Sequence, residues 1–405
     1  MSALAAPGRD RVTLNLAMLI NMLSIGSTMM VMPLAADLAA PLDMPLQHSG
    51  YIAGLAGLAA AISSWFSAPW LDRFARRPLL VSLATLRFLV LLACGWVTTS
   101  TQLMWLFALS GVFAGPMAAT LMASVVDMTP PAQRGRQLAY VAMGFSLAGI
   151  AVVPVALGLS QWLSWRWAFI AIGGAGLLLT LLVAMLFPLL DEHRAKRPGR
   201  LRFRTEPLWL WAMLVVGLQA GAHSLLIPHF ASYFRFNLSV AQGVIPLLFL
   251  LGGLASMAAM QLSGRLIDRG QALTAVIGSN LLLMFATLIG FVWEQMLLPL
   301  ILVFPLFMAA SSARFSAAQT ITAAIPPPEQ RAGFMGWQNT LAGLASGAAS
   351  VAGGFWLSSA PDGMLIGYST LALLSLMGVA AAFFGTVMIV LGLRQPHSDS
   401  EVREA

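Results

Sequence analysis

Charge is scarce in this 405-residue chain: only 9% of it is Asp, Glu, Lys or Arg. A soluble domain carries about 25%, so a surface that faces water all round is excluded. Cysteine is nearly missing. Cys94, the single one, lies in an apolar run, which excludes a disulfide within the chain and a thiol-rich metal site. No alternating, turn-punctuated strand pattern suggests an outer-membrane barrel, and no phosphate-cradling P-loop is present. Acids are missing where they would be most telling. None of the fifteen falls in the middle of an apolar run, and Asp37 and Asp127 sit at the ends of two. Without mid-run acids or a histidine-rich constellation, the chain is not read as an enzyme, and no cofactor is implied.

Apolar length is what the chain does have, with 59% hydrophobic residues. A bilayer is crossed by roughly 20 such residues in a helix. Twelve runs of that order predict spans at 13–37, 49–71, 78–98, 102–127, 138–163, 167–190, 207–233, 241–264, 272–293, 296–323, 334–358 and 364–392. The first run ends in "LAADLAA" without a convincing cleavage site and is read as the first span.

The net charge of +7 would suit nucleic acid, but its distribution does not. The bases gather in alternate short loops, around Arg9, Arg73, Arg134, Arg194, Arg265, Arg331 and Arg394, leaving only Arg166 and Arg235 in the others. By the positive-inside rule the basic loops and both termini are cytoplasmic, and no nucleic-acid partner is expected; the expected location is a bacterial inner membrane. The longest polar segment, "DEHRAKRPGRLRFRTE", divides a six-span unit at 1–190 from another at 207–405, with 191–206 as a cytoplasmic linker.

Two loops repeat. "MTPPAQRGR" at 128–136 is echoed by "IPPPEQRAG" at 325–333, and their glutamines are 330 − 133 = 197 residues apart. Asp72-Arg73 after span two is echoed by Asp268-Arg269 after span eight, 268 − 72 = 196 apart. A near-constant offset of half the chain marks internal duplication. Both members of each pair lie on one side of the membrane, so the halves are parallel, a layout that places a solute site between them near mid-depth. The expected fold is an all-α membrane protein of twelve transmembrane helices in two six-helix bundles.

These loops resemble the major facilitator superfamily, whose loop after span two reads G-x-L-a-D-R-x-G-R-R. Here it is "APWLDRFARR", matching at Asp72, Arg73, Arg76 and Arg77, with Ala68 and Ala75 in place of the glycines. The second copy, "GRLIDRG", keeps its glycines. The resemblance implies a gating latch at Asp72, Arg73, Arg76, Arg77, Asp268 and Arg269, with the arginines able to pair with Asp127. "AVVPVALGLSQWLSWRWAFI" at 151–170 resembles the family's span-five antiporter signature, with Pro154 and Gly158 matching. The layout is that of the twelve-span drug and metabolite exporters. Those exporters carry an arginine in span four where this chain has Gly111.

In that family spans one, four, seven and ten line the cavity, and the polar residues sort accordingly. Arg314 falls near the middle of span ten, where a charge costs about 2.5–3.5 kcal/mol. An anionic solute group is its natural partner. Asn21, Ser24 and Thr28 in span one and Gln219 and His223 in span seven complete the candidate solute site. His223 and His229 are the proton-coupling candidates, since imidazole titrates near neutrality. Arg87 in span three is expected to snorkel toward an interface. The 23 methionines, with Met29, Met30, Met32, Met44 and His48 close together, raise Cu(I) as an alternative cargo. The expectation is a monomeric secondary transporter that alternates access and exports a small organic solute, with proton coupling implied by the family. An importer or facilitator, including one for Cu(I), is the alternative.

Overall fold

The computed structural model describes residues 7–71, 73–130, 133–190, 206–293, 298–327 and 330–394. Asp72 and all of the 191–206 segment except Glu206 lie outside the described residues. Among the described residues eleven helices are long and apolar enough to cross a membrane: α1 (Arg11–Leu38), α2 (Leu46–Ala68), α3 (Arg76–Trp96), α4 (Ser100–Met128), α5 (Arg136–Trp162), α6 (Trp165–Leu186), α7 (Pro207–Asn237), α8 (Gln242–Asp268), α9 (Ala272–Val292), α10 (Leu300–Ala323) and α12 (Tyr368–Gly392). The remaining expected span is α11 (Arg331–Trp356), 26 residues long. At about 1.5 Å per residue it is ample to cross. Its apolarity is diluted by Gly, Ser, Thr, Asn and Gln, because it packs between α2 and α7 and needs less of a lipid face. Helices α1–α6 and α7–α12 form two six-helix bundles.

The two ends of this assembly differ. One carries the arginine-rich loops 73–77, 134–136 and 265–269 and is called here the basic face. The other, the far face, carries the loops after α1, α3, α5, α7, α9 and α11.

Proline breaks the helices where the bundles meet. α1 is interrupted at Met30, three residues before Pro33, whose ring displaces the Met29 carbonyl and whose missing N–H leaves it unbonded. In α5 a π-turn at Ala148–Val152 precedes Pro154 and absorbs the unpaired carbonyl. α7 is α-helical to Ser224, passes through a 3-10 turn at Ile227–His229 that contains Pro228, regains an α-turn at Phe230–Ser232, and ends in a π-turn at Tyr233–Asn237. It therefore runs four residues beyond the expected end at 233. A short ladder pairs β1 (Ser358–Ser359) with β2 (Leu365–Ile366) at the far face, around a turn in which Gly363 takes φ +88°.

The bundles touch along three seams. α2 and α11 run together from Gly50, beside Ser350, to Trp65, whose ring lies against Trp337. α1 meets α7, and α5 meets α8, toward the far face. Toward the basic face, no comparable seam joins α4 to α10 among the described residues. Gly347 sets the α2–α11 separation. A Cβ there would lie 2.8 Å from the Gly54 carbonyl oxygen and 2.8 Å from the Leu58 nitrogen, both backbone atoms. We expect Gly347→Val to force the seam apart and to cost about 1–3 kcal/mol, read as a lower thermal midpoint of the purified protein. An unchanged midpoint would mean that the seam yields freely.

Candidate functional site

Two guanidinium groups occupy the interior of the bundles. Arg314 stands fourteen residues into α10, and is 1% exposed. Its neighbours on α10 are small (Ala313, Ala317, Ala318), so its side chain has room to cross toward α7. There Nη2 donates to the Gln219 carbonyl oxygen at 3.0 Å. Nε and Nη1 are buried with no hydrogen-bond partner among the described residues, and no carboxylate pairs with the group there. One turn toward the far face, Ser311 Oγ lies 2.6 Å from His223 Nδ1. The half-buried His223 ring stacks on Phe307, centroids 5.9 Å apart and planes 8° from parallel. α10 thus supplies an apolar ring, a hydroxyl and a cation in successive turns of one face, and α7 supplies an imidazole against them.

The Gln219 side chain points elsewhere. Its Nε2 donates to Thr386 Oγ1 of α12 at 3.1 Å, while Oε1 is buried and unpartnered among the described residues. His229 is brought to the boundary between the bundles, its Nδ1 2.9 Å from Ser49 Oγ of α2.

In the first bundle Arg87 does not snorkel. It is 2% exposed and reaches from α3 into α1. Nη2 donates to the Ser24 carbonyl oxygen at 2.6 Å, to Ser27 Oγ at 3.0 Å and to Thr28 Oγ1 at 3.1 Å. Three acceptors on one helix outbid the interface, which lies too far along α3 to be reached without abandoning them. Ser24 and Thr28 therefore surround a cation, and the half-buried Thr28 is the more open of the two. Asn21 is engaged with α5, its Nδ2 donating to the Val141 carbonyl at 3.0 Å. The two arginines share a symmetry that the sequence hid. Ser24 and Gln219, whose carbonyls they hold, are 219 − 24 = 195 residues apart, within one or two residues of the 196 and 197 that separate the duplicated loops.

Two polar pairs were missed by sequence reasoning. Tyr140 Oη donates to Asn15 Oδ1 at 2.6 Å, joining α5 to α1, and Gln319 Nε2 donates to Asn339 Oδ1 at 3.3 Å, joining α10 to α11. Asn15 and Asn339 are exposed within helices that cross the membrane. An amide exposed inside an apolar span fits a wet cleft better than lipid. The signal that could have found them is polarity at matching depth near the basic end of four interface helices.

At the basic face, Arg76 Nε pairs with Asp127 Oδ2 at 2.8 Å, tying the loop after α2 to the end of α4. Arg77 Nη1 donates to the Phe187 carbonyl at 3.2 Å, and the Arg73 guanidinium sits 4.6 Å from the Trp70 ring centroid. Asp268 and Arg269 are exposed at the end of α8. The pair at Arg76 lies within one bundle. We expect Arg76→Gln to cost about 1.5–3 kcal/mol, the range for a hydrogen bond to a charged group. Thermal unfolding of the purified protein would show it, and an unshifted midpoint would make the pair energetically idle.

Gly111 has no room for a side chain. A Cβ there would lie 2.3 Å from the Ala56 carbonyl oxygen of α2. The methionines near the far end are packed rather than convergent: Met30 and Met44 are buried in the apolar core, and His48 stacks on Tyr51 at 4.7 Å. Among the described residues no group of three His, Cys, Asp or Glu side chains gathers as a metal site.

Twelve helices in two like-oriented bundles, with polar groups buried at the boundary, define a multi-pass membrane protein of duplicated architecture. Comparison with known families places it further: the chain belongs to the Major Facilitator Superfamily, whose family model matches residues 16–350. It is 31% identical over 199 residues to a probable 4-methylmuconolactone transporter of Cupriavidus pinatubonensis (strain JMP 134 / LMG 1197), a stretch covering 44% of this chain and 45% of that protein. It is 30% identical over 172 residues to a probable sugar efflux transporter of Helicobacter pylori (strain G27), covering 40% of this chain and 43% of that one. The matched stretches thus span less than half of these relatives. Among solved structures, a D-xylose-proton symporter superposes with a TM-score of 0.74 at 15% identity, over 92% of this chain and 96% of that one. A bacterial homologue of the human lysosomal transporter Spinster superposes with a TM-score of 0.71 at 16% identity, over 96% and 95%. At such identities the likeness is one of fold.

Proposed function

We propose that this protein is a secondary transporter of the bacterial inner membrane that exports a small, oxygen-rich organic solute by alternating access. The basic face is assigned to the cytoplasm, with both termini, on the positive-inside rule. The halves are taken as 1–190 and 207–405, joined by 191–206. The observation that carries the reading is Arg314: a buried cation whose Nε and Nη1 have no hydrogen-bond partner, and which no carboxylate pairs with, among the described residues. Such donors are costly to leave unmade. A solute carboxylate, or a cluster of hydroxyl oxygens, supplies the missing acceptors. The relatives whose names mention a lactone and sugars support an oxygen-rich solute, and the name "efflux" supports export.

His223 and Ser311 stand one turn away and form the second wall of the site. Gln219, through Oε1, and Thr28 remain solute candidates. Asn21 and Ser24 are assigned to holding α5 and Arg87 in place. His223 is the proton-coupling candidate within the site, and His229 the candidate at the boundary between bundles. Asp72, Arg73, Arg76, Arg77, Asp127, Asp268 and Arg269 are proposed to form the cytoplasmic latch.

Everted membrane vesicles test this. A panel of carboxylated lactones, sugar acids and neutral sugars is offered with and without an imposed proton gradient. Accumulation of an anionic member, increased by the gradient, is the expected result. Accumulation of none above vesicles without the protein would remove the reading.

A further inference from the structure

Asp37 closes the end of α1, and its carboxylate is engaged on both oxygens. Oδ1 accepts from Arg235 Nη1 at 3.0 Å and from Gln242 Nε2 at 2.8 Å, and Oδ2 accepts from Ser160 Oγ at 2.8 Å. The three donors come from three places. Arg235 belongs to the π-turn that ends α7, Gln242 begins α8, and Ser160 lies near the end of α5. Asp37 and Ser160 are in the first bundle, Arg235 and Gln242 in the second. One side chain therefore knots both bundles at the far face, and it is 12% exposed there, with Arg235 33% exposed.

The knot lies amid other cross-bundle bonds. Gln161 Nε2 donates to the Gln242 carbonyl at 2.8 Å. Ser49 Oγ meets His229 Nδ1, and the Gln47 backbone N–H donates to Ser359 Oγ at 3.3 Å beside the β-ladder. The segment Val31–Leu38 packs on Phe230–Ser232 directly beneath. These contacts are confined to the far half. Toward the basic face α4 and α10 lack a comparable seam, and exposed polar side chains take its place.

We infer that Asp37 is the hub of the outer gate: its contacts with Arg235 and Gln242 hold the bundles together at the far face, and their release is the step that opens the protein to that side. Three features of the chemistry fit a gate better than a fixed strut. An ionised carboxylate is acceptor-only, with about four lone-pair sites, so it takes donors from two bundles at once. Its cross-bundle partners sit at the irregular ends of α7 and α8, in a π-turn and a 3-10 turn. Both charges stay partly exposed, so they rehydrate when parted instead of being stranded in a dry interior. The inference rests on the transport reading only in naming the opening as part of a cycle.

Accessibility measures the opening directly. Ala231, 1% exposed behind the knot, is replaced by Cys. The native Cys94 is buried and contributes little background. Purified protein in lipid nanodiscs, open to reagent at both faces, is treated with a hydrophilic maleimide. Asp37→Asn keeps the shape but offers one acceptor oxygen where the carboxylate offered two. It should label at least tenfold faster than the Ala231→Cys parent, as should Arg235→Gln. Ser160→Ala removes only a bond within the first bundle and should change the rate less than threefold. The exchanged pair Asp37→Arg with Arg235→Asp should recover slow labelling. Unchanged labelling in Asp37→Asn, with parental yield and thermal midpoint, would overturn the gate. An equal rise in Ser160→Ala would also overturn it, since that bond joins nothing across the bundles. Labelling needs no solute. A rate that rises as expected, in protein whose vesicles accumulate nothing, would keep the gate and remove the transporter.

Discussion

Arg314→Ala should abolish accumulation of an anionic solute in everted vesicles while folded protein remains at parental level. The reasoning is electrostatic. The guanidinium spends one N–H on the Gln219 carbonyl and keeps two buried donors with no partner among the described residues. Acceptor oxygens of an anionic solute that meet these donors make charge-assisted hydrogen bonds, roughly twice as strong as neutral ones. Such a contact is worth about 2–5 kcal/mol when one partner is truncated in a desolvated setting, or roughly 30-fold to 4,000-fold in affinity. Arg314→Lys should recover only part of it, because an ammonium is a point charge and cannot present the planar fork. Neutral substrates, if any are carried, should suffer less than anionic ones. Equal losses for both would identify Arg314 as a brace between α7 and α10. Undiminished transport in Arg314→Ala would take it out of the site.

The second large effect concerns the position where exporters of this family carry an arginine. Gly111→Arg should yield almost no folded protein. The reason is steric. α4 runs against α2 so closely that even a Cβ would stand 2.3 Å from the Ala56 carbonyl oxygen, and at Gly115 one would stand 2.2 Å from the Ala60 carbonyl. These are backbone atoms, and no rotamer change relieves them. Gly111→Ala alone should lower the thermal midpoint by several degrees, and Gly111→Arg should shift the protein to the aggregated fraction in size-exclusion chromatography. A monodisperse Gly111→Arg protein would show that α2 and α4 part easily. The missing arginine is therefore no gap awaiting restoration. This chain has closed that position with backbone contact, and brings its buried cation to α1 from α3 as Arg87 instead.

That substitution shows what a sequence can and cannot reveal here. Twelve apolar runs and an offset of 196 or 197 residues were enough for the twelve-helix, two-bundle fold, because a bilayer allows few other ways to bury a backbone. Arg314 and Arg87 stood out as charges in apolar runs. Where each reaches was not legible, since a side chain's direction depends on the rotation of its helix, and an error of one residue turns it by 100°. Arg87 was expected at an interface and lies in the interior. Asn15 and Tyr140 were passed over because each is ordinary alone, and only their contact makes a polar pair. In the sequence Asp37 is no more than an acid at a helix end. Its importance lies in Arg235 and Gln242, roughly two hundred positions away, which no local pattern connects to it. The twist of each proline break was equally invisible, although the prolines themselves were plain.

The clamped carbonyls carry an implication about ancestry. Shifting Arg87 forward by the repeat offset lands on Leu283, and shifting Arg314 back lands on Ala118 (87 + 196 = 283; 314 − 196 = 118). At those positions neither half carries the other's cation, yet each grips a carbonyl of its leading helix within one residue of the matching position (24 + 196 = 220, beside Gln219). Descent from one gene does not explain a grip arrived at by different routes. The leading helix of each half is braced by an arginine from a different neighbour, α3 in the first half and α10 in the second.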